Sequence, residues 1–273
     1  MADGARTAQL VVLGLVAGVV LGSAVAWGRL APRPSTAEAS VTAIAATPAT
    51  ASAASTTTTR RPTTTTTVLP PPPKARPLPP EGGRLAPVYS RLPVKEKVVF
   101  LGIDDGAVRD PAVLDHFAAL HIPFTVFLTM GPAQEDPAFW KRAMAVGGTI
   151  ESHTLTHPDL PRSSAATQRN EICGTLDPYE KMFGKRPTLF RPPYGNSNDS
   201  VRRQAAECGY KGVILWKGST NNGRLTMQDG PLHAGDILLL HWRDTLHDDV
   251  DDVVARCRQE GFTVGRLEDY FPA

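Results

Sequence analysis

Short apolar runs alternate with amphipathic stretches along the chain from about residue 85 onward. β-Branched and aromatic residues fill "KVVFLGID" (97–104), "IPFTVFL" (122–128) and "GTIES" (148–152), and similar runs recur in "TLFRPP", "KGVILW", "GDILLLHW" and "FTVGRLED". Continuous apolar runs of this length are typical of strands that are buried on both faces. Stretches with apolar residues at helical spacing separate them. The alternation therefore predicts one α/β domain with a mainly parallel sheet, which can curl into a barrel.

Two of the predicted helices begin with the same dipeptide, Asp-Pro. Asp110 and Asp136 are each followed by proline, which is favoured at the first helical position because its missing N–H is not needed there. The helical stretch after the third strand is predicted to be interrupted at Pro178. Another helix is predicted to end at Gly209, and the last one to span residues 249–260.

The N-terminal part of the chain has a different composition. Residues 10–28 carry no charged side chain, and this run is long enough to cross a bilayer as a helix. The tripeptide "AVA" at 24–26 resembles a signal-peptidase site. We therefore expect residues 1–30 to be either a cleaved signal peptide or an uncleaved membrane anchor. Both interpretations predict that the rest of the chain is exported.

Residues 31–84 consist largely of Ala, Ser, Thr and Pro. Such a segment has too little apolar bulk to offset the entropy of folding, so it is predicted to be a disordered or extended linker before a domain at 85–273. The first 84 residues hold eight of the 29 Lys and Arg residues but three of the 27 Asp and Glu residues. The remaining part is thus slightly acidic, which gives no support for nucleic-acid binding. We expect a monomer.

Polar residues close several of the apolar runs, where the functional residues of parallel sheets gather. Singly, each residue has an ordinary explanation, such as a turn in "DDG". Together, a carboxylate and two imidazoles can form an open three-ligand metal site, and a second carboxylate and a third histidine remain as base and acid. The four-residue spacing in "HTLTH" would place two imidazoles on one face of a helical turn. The candidates are Asp104, Asp105, His153, His157, Arg191, Tyr194 and His241.

Four motifs, "IDDG", "HTLTH", "RPPYG" and "LLLH", occur in this order within residues 94–270. In this combination the chain resembles the polysaccharide deacetylase family with the NodB-homology domain, carbohydrate esterases that remove acetyl groups from chitin, peptidoglycan or xylan. The resemblance implies a distorted (β/α) barrel. It also implies that Asp105, His153 and His157 hold Zn²⁺ or another divalent metal such as Co²⁺.

The resemblance further implies roles for the residues around the metal. Asp104 would be the general base, and Arg191 would pair with it and keep it ionised. The backbone N–H of Tyr194 would stabilise the oxyanion, and His241 would protonate the leaving amine. Leu239 would line a small acetyl pocket. Together with the N-terminal segment, these roles suggest an envelope enzyme that acts on a cell-wall polysaccharide, with the N-acetyl groups of peptidoglycan favoured.

One stretch departs from the family pattern. In "WKGSTNNGRL", Ser219 and Asn222 occupy the positions where the family usually carries aspartates, one of which pairs with the catalytic histidine. We therefore expect His241 to lack its carboxylate partner unless Asp236 or Asp244 takes that place. The departure leaves one alternative open, a weakly active glycan-binding pseudoenzyme. A second alternative, an O-deacetylase of acetylated xylan or muramic acid, stays open because the choice of substrate lies in loops outside the motifs.

The chain has three cysteines, which in an exported protein suggests one disulfide and one free thiol. Cys257 falls on the same predicted helix face as Val250, Val253 and Val254, so it is expected to pack in the core. Cys173 and Cys208 remain as the pair that can form a disulfide, although both could also stay as thiols. None of the three lies at the carboxyl end of a strand, which argues against cysteine as a metal ligand.

Overall fold

The computed structural model describes residues 69–79 and 83–272. The predicted signal or anchor segment and most of the predicted linker lie outside these residues, so the domain boundaries at 30 and 84 stay predictions. Within the described ranges, no helix is both long and apolar enough to cross a membrane.

One sheet of ten strands organises the described part of the chain. Its strands are β1 (Val88–Tyr89), β2 (Val98–Asp105), β3 (Phe124–Leu128), β4 (Gly148–Ser152), β5 (Leu189–Phe190), β6 (Gly212–Ile214), β7 (Gly218–Thr220), β8 (Leu225–Met227), β9 (Ile237–His241) and β10 (Thr263–Val264). Their order is β1-β6-β5-β4-β3-β2-β9-β7-β8, with β10 beside β2. Only β7 and β8 pair in antiparallel fashion among these named strands. The mainly parallel sheet is confirmed, and this curled, mixed sheet is consistent with the expected barrel.

Helices connect the strands. They are α1 (Pro111–Leu120), α2 (Met130–Glu135), α3 (Pro137–Ala145), α4 (Ala165–Cys173), α5 (Leu176–Phe183), α6 (Asp199–Glu207) and α7 (Leu246–Glu260). Asp110 and Asp136 act as N-caps, since their side chains accept hydrogen bonds from the N–H groups of Ala112 and Phe139. Both predicted helix starts are confirmed. The helix α7 begins three residues before the predicted start.

The predicted interruption at Pro178 is wrong in position. The helical stretch breaks instead between α4 and α5, at Gly174 and Thr175. Pro178 lies in the first turn of α5, where a backbone N–H has no partner within the helix, so proline costs no hydrogen bond there.

The sheet packs against the helices through a continuous apolar core. The helix α7 contributes Val250, Val253, Val254 and Cys257, all of which are buried, as the spacing predicted. The aromatic rings of Phe139, Trp140 and Trp242 meet edge to face. These ring contacts pack α3 against Trp242, the residue that follows β9 at the carboxyl edge of the sheet.

Contacts with the domain extend into the segment that was predicted as linker. Leu69 is buried in the core, and Ala75 and Leu78 pack against the apolar cluster around Tyr270. The N–H of Leu78 also donates to the carbonyl of Tyr270 over 2.8 Å. The described residues before position 80 therefore pack on the domain that follows them.

Candidate metal centre and active site

The strand register gathers the candidate residues at one edge of the sheet. Asp104 lies opposite His241 across the β2–β9 pair, and Asp105 lies opposite Leu128 across the β2–β3 pair. Along the next strands, Leu128 pairs with Ser152 and Ser152 with Phe190. The residues that follow these strand ends, His153 and Arg191, therefore emerge beside the two aspartates. Strand ends far apart in sequence meet here because the sheet is parallel.

Asp105, His153 and His157 bring their donor atoms together. The Nε2 atoms of His153 and His157 lie 3.6 and 3.4 Å from Oδ1 of Asp105. The Nδ1 atom of His153 is 2.7 Å from the carbonyl oxygen of Arg191. A carbonyl can only accept, so Nδ1 carries the proton and Nε2 presents its lone pair to the centre. Burial lowers the pKa of His153, which keeps the ring neutral, as a metal ligand must be.

The two histidines are not on a helix, contrary to the interpretation of their spacing. Residues 153–159 form a bent loop without helical structure, and the loop turns back through Thr154 and His157, whose φ angles are 74° and 60°. The hydroxyl of Thr154 accepts a hydrogen bond from the N–H of His157 over 3.0 Å. A tight loop thus brings the imidazoles together, with ring centroids 4.9 Å apart.

Asp104 and Arg191 form a buried ion pair beside the candidate metal centre. The guanidinium Nη1 donates to Oδ1 of Asp104 over 2.6 Å, and Nε donates to the carbonyl of Ile214. A Cβ atom at Gly102 would lie 2.4 Å from Nη2 of Arg191, so glycine leaves the space that the guanidinium fills. Burial raises the pKa of Asp104 to about 6, against the opposing effect of Arg191. Such a carboxylate can accept a proton near neutral pH.

His241 has no carboxylate partner among the described residues. Its Nδ1 atom is buried and makes no hydrogen bond within that part of the chain. Asp236 precedes β9 at the opposite end of the strand and instead binds Arg91 at 2.5 Å, and Asp244 is exposed. Burial lowers the pKa of His241, with a smaller raising effect from Asp104. Neither aspartate therefore replaces the missing partner.

Two further predicted residues border the same edge. Leu239 is buried two residues before His241, on the same face of β9, and its strand neighbour in β7 is Ser219. Tyr194 is 64% exposed, and its ring lies 4.8 Å from the ring of His157. The φ angle of Tyr194 is 61°, an unusual conformation for a bulky residue that occurs most often at functional sites.

Sequence reasoning missed one residue that organises the site, Glu171 of α4. Its buried carboxylate accepts hydrogen bonds from the N–H groups of Leu155 and Thr156 at 3.0 and 2.9 Å, and from the Thr156 hydroxyl at 2.8 Å. These bonds hold the loop between the two histidines. The sequence contains no indication that Glu171 contacts this loop, because the residue lies in a polar helix with no motif around it.

The predicted disulfide is confirmed. Cys173 at the end of α4 is bonded to Cys208 at the end of α6, and Cys257 is free and buried. The bond ties the helix that carries Glu171 to the helix that follows "RPPYG". Neither candidate metal cluster in the described residues includes a cysteine.

Comparisons with known proteins identify the family. A family model described as polysaccharide deacetylase matches residues 91–213. The uncharacterized protein SCO4760 of Streptomyces coelicolor is 38% identical over 69% of this chain and 79% of its own length. A peptidoglycan-N-acetylglucosamine deacetylase of Bacillus cereus is 32% identical over 55% and 75%. The peptidoglycan-N-acetylmuramic acid deacetylase PdaA of Bacillus subtilis is 29% identical over 64% and 72%.

Solved structures share the fold. The Bc1960 peptidoglycan N-acetylglucosamine deacetylase superposes with a TM-score of 0.60 at 26% identity, covering 69% of this chain and 94% of that one. The wild-type CE4 family pseudoenzyme BA3943 of Bacillus anthracis also gives a TM-score of 0.60, at 22% identity over 71% and 69%. The chain belongs to the polysaccharide deacetylase family.

Proposed function

We propose that this protein is a metal-dependent deacetylase that removes acetyl groups from an N-acetylated cell-wall glycan, with peptidoglycan as the favoured substrate. The observation that carries the proposal is the meeting of Asp105, His153 and His157 beside the buried Asp104–Arg191 pair, with His241 on the neighbouring strand. A carboxylate base and an imidazole acid on adjacent strands can act on one amide bond, the base on the water that attacks the carbonyl carbon and the acid on the departing nitrogen.

The three ligands fit a divalent metal. Their donor atoms lie within 4.8 Å of one another, and the carbonyl of Arg191 fixes the His153 tautomer that exposes Nε2. Two imidazoles and a carboxylate suit Zn²⁺ and leave further coordination positions open. A metal held there supplies Lewis-acid polarisation of the acetyl carbonyl.

Asp104 takes the proton from the attacking water while the water oxygen bonds to the acetyl carbon. Arg191 keeps Asp104 oriented and favours its charged form, so the base is available near neutral pH. The backbone N–H of Tyr194 donates to the oxyanion that develops on the carbonyl oxygen.

His241 then donates a proton to the departing nitrogen as the carbon–nitrogen bond breaks, which releases acetate and a free amine. An amine is a poor leaving group without protonation, so loss of this acid should affect amides more than activated esters. Leu239 provides an apolar wall for the acetyl methyl group.

The substrate assignment rests on the relatives and on the N-terminal segment. Two relatives act, by name, on N-acetylglucosamine or N-acetylmuramic acid of peptidoglycan. An apolar run at 10–28 followed by a Thr- and Pro-rich stretch suits an exported envelope protein, either anchored or secreted.

The test is acetate release from purified peptidoglycan, chitin oligomers and acetylxylan in the presence of Zn²⁺, with Asp104→Asn as the matched inactive control. We expect release from peptidoglycan, and mass spectrometry of the muropeptides will locate the free amine on glucosamine or muramic acid. Clear preference for acetylxylan would overturn the peptidoglycan assignment and favour an O-deacetylase.

A glycan-binding pseudoenzyme is the second candidate. The buried Nδ1 of His241, which has no hydrogen-bond partner in the described chain, favours it, because no carboxylate accepts a hydrogen bond from this imidazole and stabilises its protonated form. A pseudoenzyme is known among the structural neighbours, since BA3943 is described as one. The paired Asp104 and Arg191 argue against it, because binding alone requires no buried base. Absence of acetate from every substrate, together with retained glycan binding, would favour this candidate.

A further inference from the structure

A second cluster of metal-ligating side chains lies between the outer helices α1 and α7. His116 of α1 approaches Asp251 of α7, with Nε2 2.8 Å from Oδ1. His247 lies one helical turn before Asp251, and its Nδ1 is 3.7 Å from the other carboxylate oxygen. The two imidazole rings stack with centroids 3.9 Å apart. No residue of this cluster belongs to the candidate active site.

The arrangement has the features of a ligand set that is largely formed in advance. One donor atom from each of the three residues falls within 4.8 Å of the others. His247 and Asp251 have the i, i+4 spacing that places two ligands on one helix face. His116 comes from a different helix, and its side chain is only 17% exposed, so its position is restricted by packing. Small rotations of His247, which is 47% exposed, can close the set around an ion.

The local charge favours a cation. Asp248 lies next to His247, with an oxygen 3.9 Å from its Nδ1, and adds a second carboxylate to the α7 side of the cluster. The two imidazoles can act as neutral ligands, and a cation can take the place of the Nε2 proton that His116 donates to Asp251. Imidazole and carboxylate donors together suit Zn²⁺, Ni²⁺ and Cu²⁺ rather than Ca²⁺ or Mg²⁺.

We propose that His116, His247 and Asp251 form a second transition-metal site that joins α1 to α7. The two helices follow β2 and β9, which carry Asp104, Asp105 and His241. An ion at this position would cross-link the two connections behind the active-site edge. Its expected effect is on the stability of the domain, since none of the three residues contacts the candidate active site in the described structure.

Zn²⁺ binding to the purified full-length chain tests the proposal. The double variant His153→Ala/His157→Ala removes two ligands of the candidate catalytic centre, so of the two candidate clusters in the described residues only the α1–α7 site stays complete. We expect one Zn²⁺ per chain in isothermal titration. The midpoint of thermal unfolding should rise by about 5 to 10 °C at a hundredfold excess of Zn²⁺ over Kd.

Adding His247→Ala, or separately Asp251→Asn, should abolish both the binding and the thermal shift. Both residues are largely exposed, so the variants should fold without the metal. The matched control is His233→Ala, which removes an equally exposed histidine elsewhere and should leave the binding unchanged. Absence of Zn²⁺ binding in the double variant at 100 µM, or equal binding after His247→Ala, would overturn the site. Either result leaves the proposed deacetylase function untouched.

Discussion

The guanidinium of Arg191 donates to the carboxylate of Asp104 over 2.6 Å, and both side chains are buried. Two opposite effects therefore act on the same carboxylate. Burial raises the pKa of Asp104, and Arg191 lowers it. The pKa of Asp104 is raised to about 6, much closer to neutral pH than that of an exposed aspartate, and Arg191 is the largest of the effects that lower it.

Replacing Arg191 by methionine should disturb both stability and pH dependence. The buried Asp104 would lose its only charged partner of opposite sign in the side-chain contacts of the described chain, so unfolding should become easier by about 3–5 kcal/mol. The pKa of Asp104 should rise, and because the base must be ionised, the acid limb of kcat/KM should move to higher pH by on the order of one unit. The pH profile and a urea titration measure the two effects.

Phe127→Leu provides the control for Arg191→Met, because it removes the ring that lies 4.1 Å from the guanidinium carbon without removing charge. It should reduce stability with no movement of the acid limb. An unchanged acid limb in Arg191→Met would show that this pair does not set the pKa of the base.

Substitutions at the candidate metal centre should distinguish residues that hold the ion from residues that act beside it. His153→Ala and His157→Ala each delete a ligand, so Zn²⁺ content and acetate release should fall together. Asp104→Asn keeps the three ligands and should retain metal while activity falls by a factor of roughly 10² or more, as is typical for loss of a general base. Metal analysis beside activity for the same preparations tests this.

Asp105→Asn is the matched partner of Asp104→Asn. We expect it to lose metal, because Oδ1 of Asp105 lies 3.6 and 3.4 Å from the Nε2 atoms of the two histidines, whereas the Asp104 carboxylate approaches only His153, at 3.7 Å. If Asp104→Asn lost the metal and Asp105→Asn kept it, the roles assigned to the two aspartates would have to be exchanged.

Glu171 should act as a positioning residue for the metal ligands. Its carboxylate holds the loop between His153 and His157 through three hydrogen bonds. Glu171→Ala should weaken Zn²⁺ affinity by roughly 10- to 100-fold, the range typical of groups that orient ligands. Competition with a chelator measures this affinity independently of turnover.

The variant Glu171→Gln distinguishes a role in positioning the metal ligands from a role in the stability of the fold alone. Glutamine keeps one acceptor oxygen for the loop N–H groups, so it should recover part of the metal affinity that alanine loses. If both variants bound Zn²⁺ as tightly as the wild type, while unfolding at a lower temperature, Glu171 would be a structural residue only.

The sequence predicted the strands and the residues at their ends, but not the conformation of the loop that carries the two histidines. The apolar runs located the strands because a buried parallel strand requires apolar residues on both faces, and the polar residues that closed them meet at one edge. The helical turn predicted for "HTLTH" was wrong. Two histidines four residues apart can be brought together either by a helix or by a loop that turns through positive φ angles, so the spacing alone does not distinguish the two. Only the contacts of Thr154 and Glu171 distinguish them.

Contacts between distant elements were beyond sequence reasoning. Glu171 approaches the histidine loop through the folding of α4 against it, and His116 meets Asp251 across 135 positions. Neither pair has a local pattern. The disulfide was easier to predict, because the buried face of α7 accounted for Cys257 and left one pair.

The missing carboxylate beside His241 leads to a gain-of-function prediction. A general acid must be protonated in order to donate, and burial lowers the pKa of this histidine, so the acid step should lose support as the pH rises. Ser219 lies on β7 directly beside Leu239, two residues from His241. Ser219→Asp would introduce a carboxylate near the imidazole, which raises its pKa. The basic limb of kcat should therefore move to higher pH by on the order of one unit, so kcat measured on that limb should increase by roughly tenfold. Ser219→Asn is the matched control, since it has the same shape without the charge and should leave the basic limb in place.

If Ser219→Asp and Ser219→Asn gave the same pH profile, His241 would not be the acid that limits the reaction, or residue 219 would not reach it. Measuring the imidazole titration of His241 by NMR in both variants separates these two explanations, because a carboxylate within reach must shift that titration whatever the rate does.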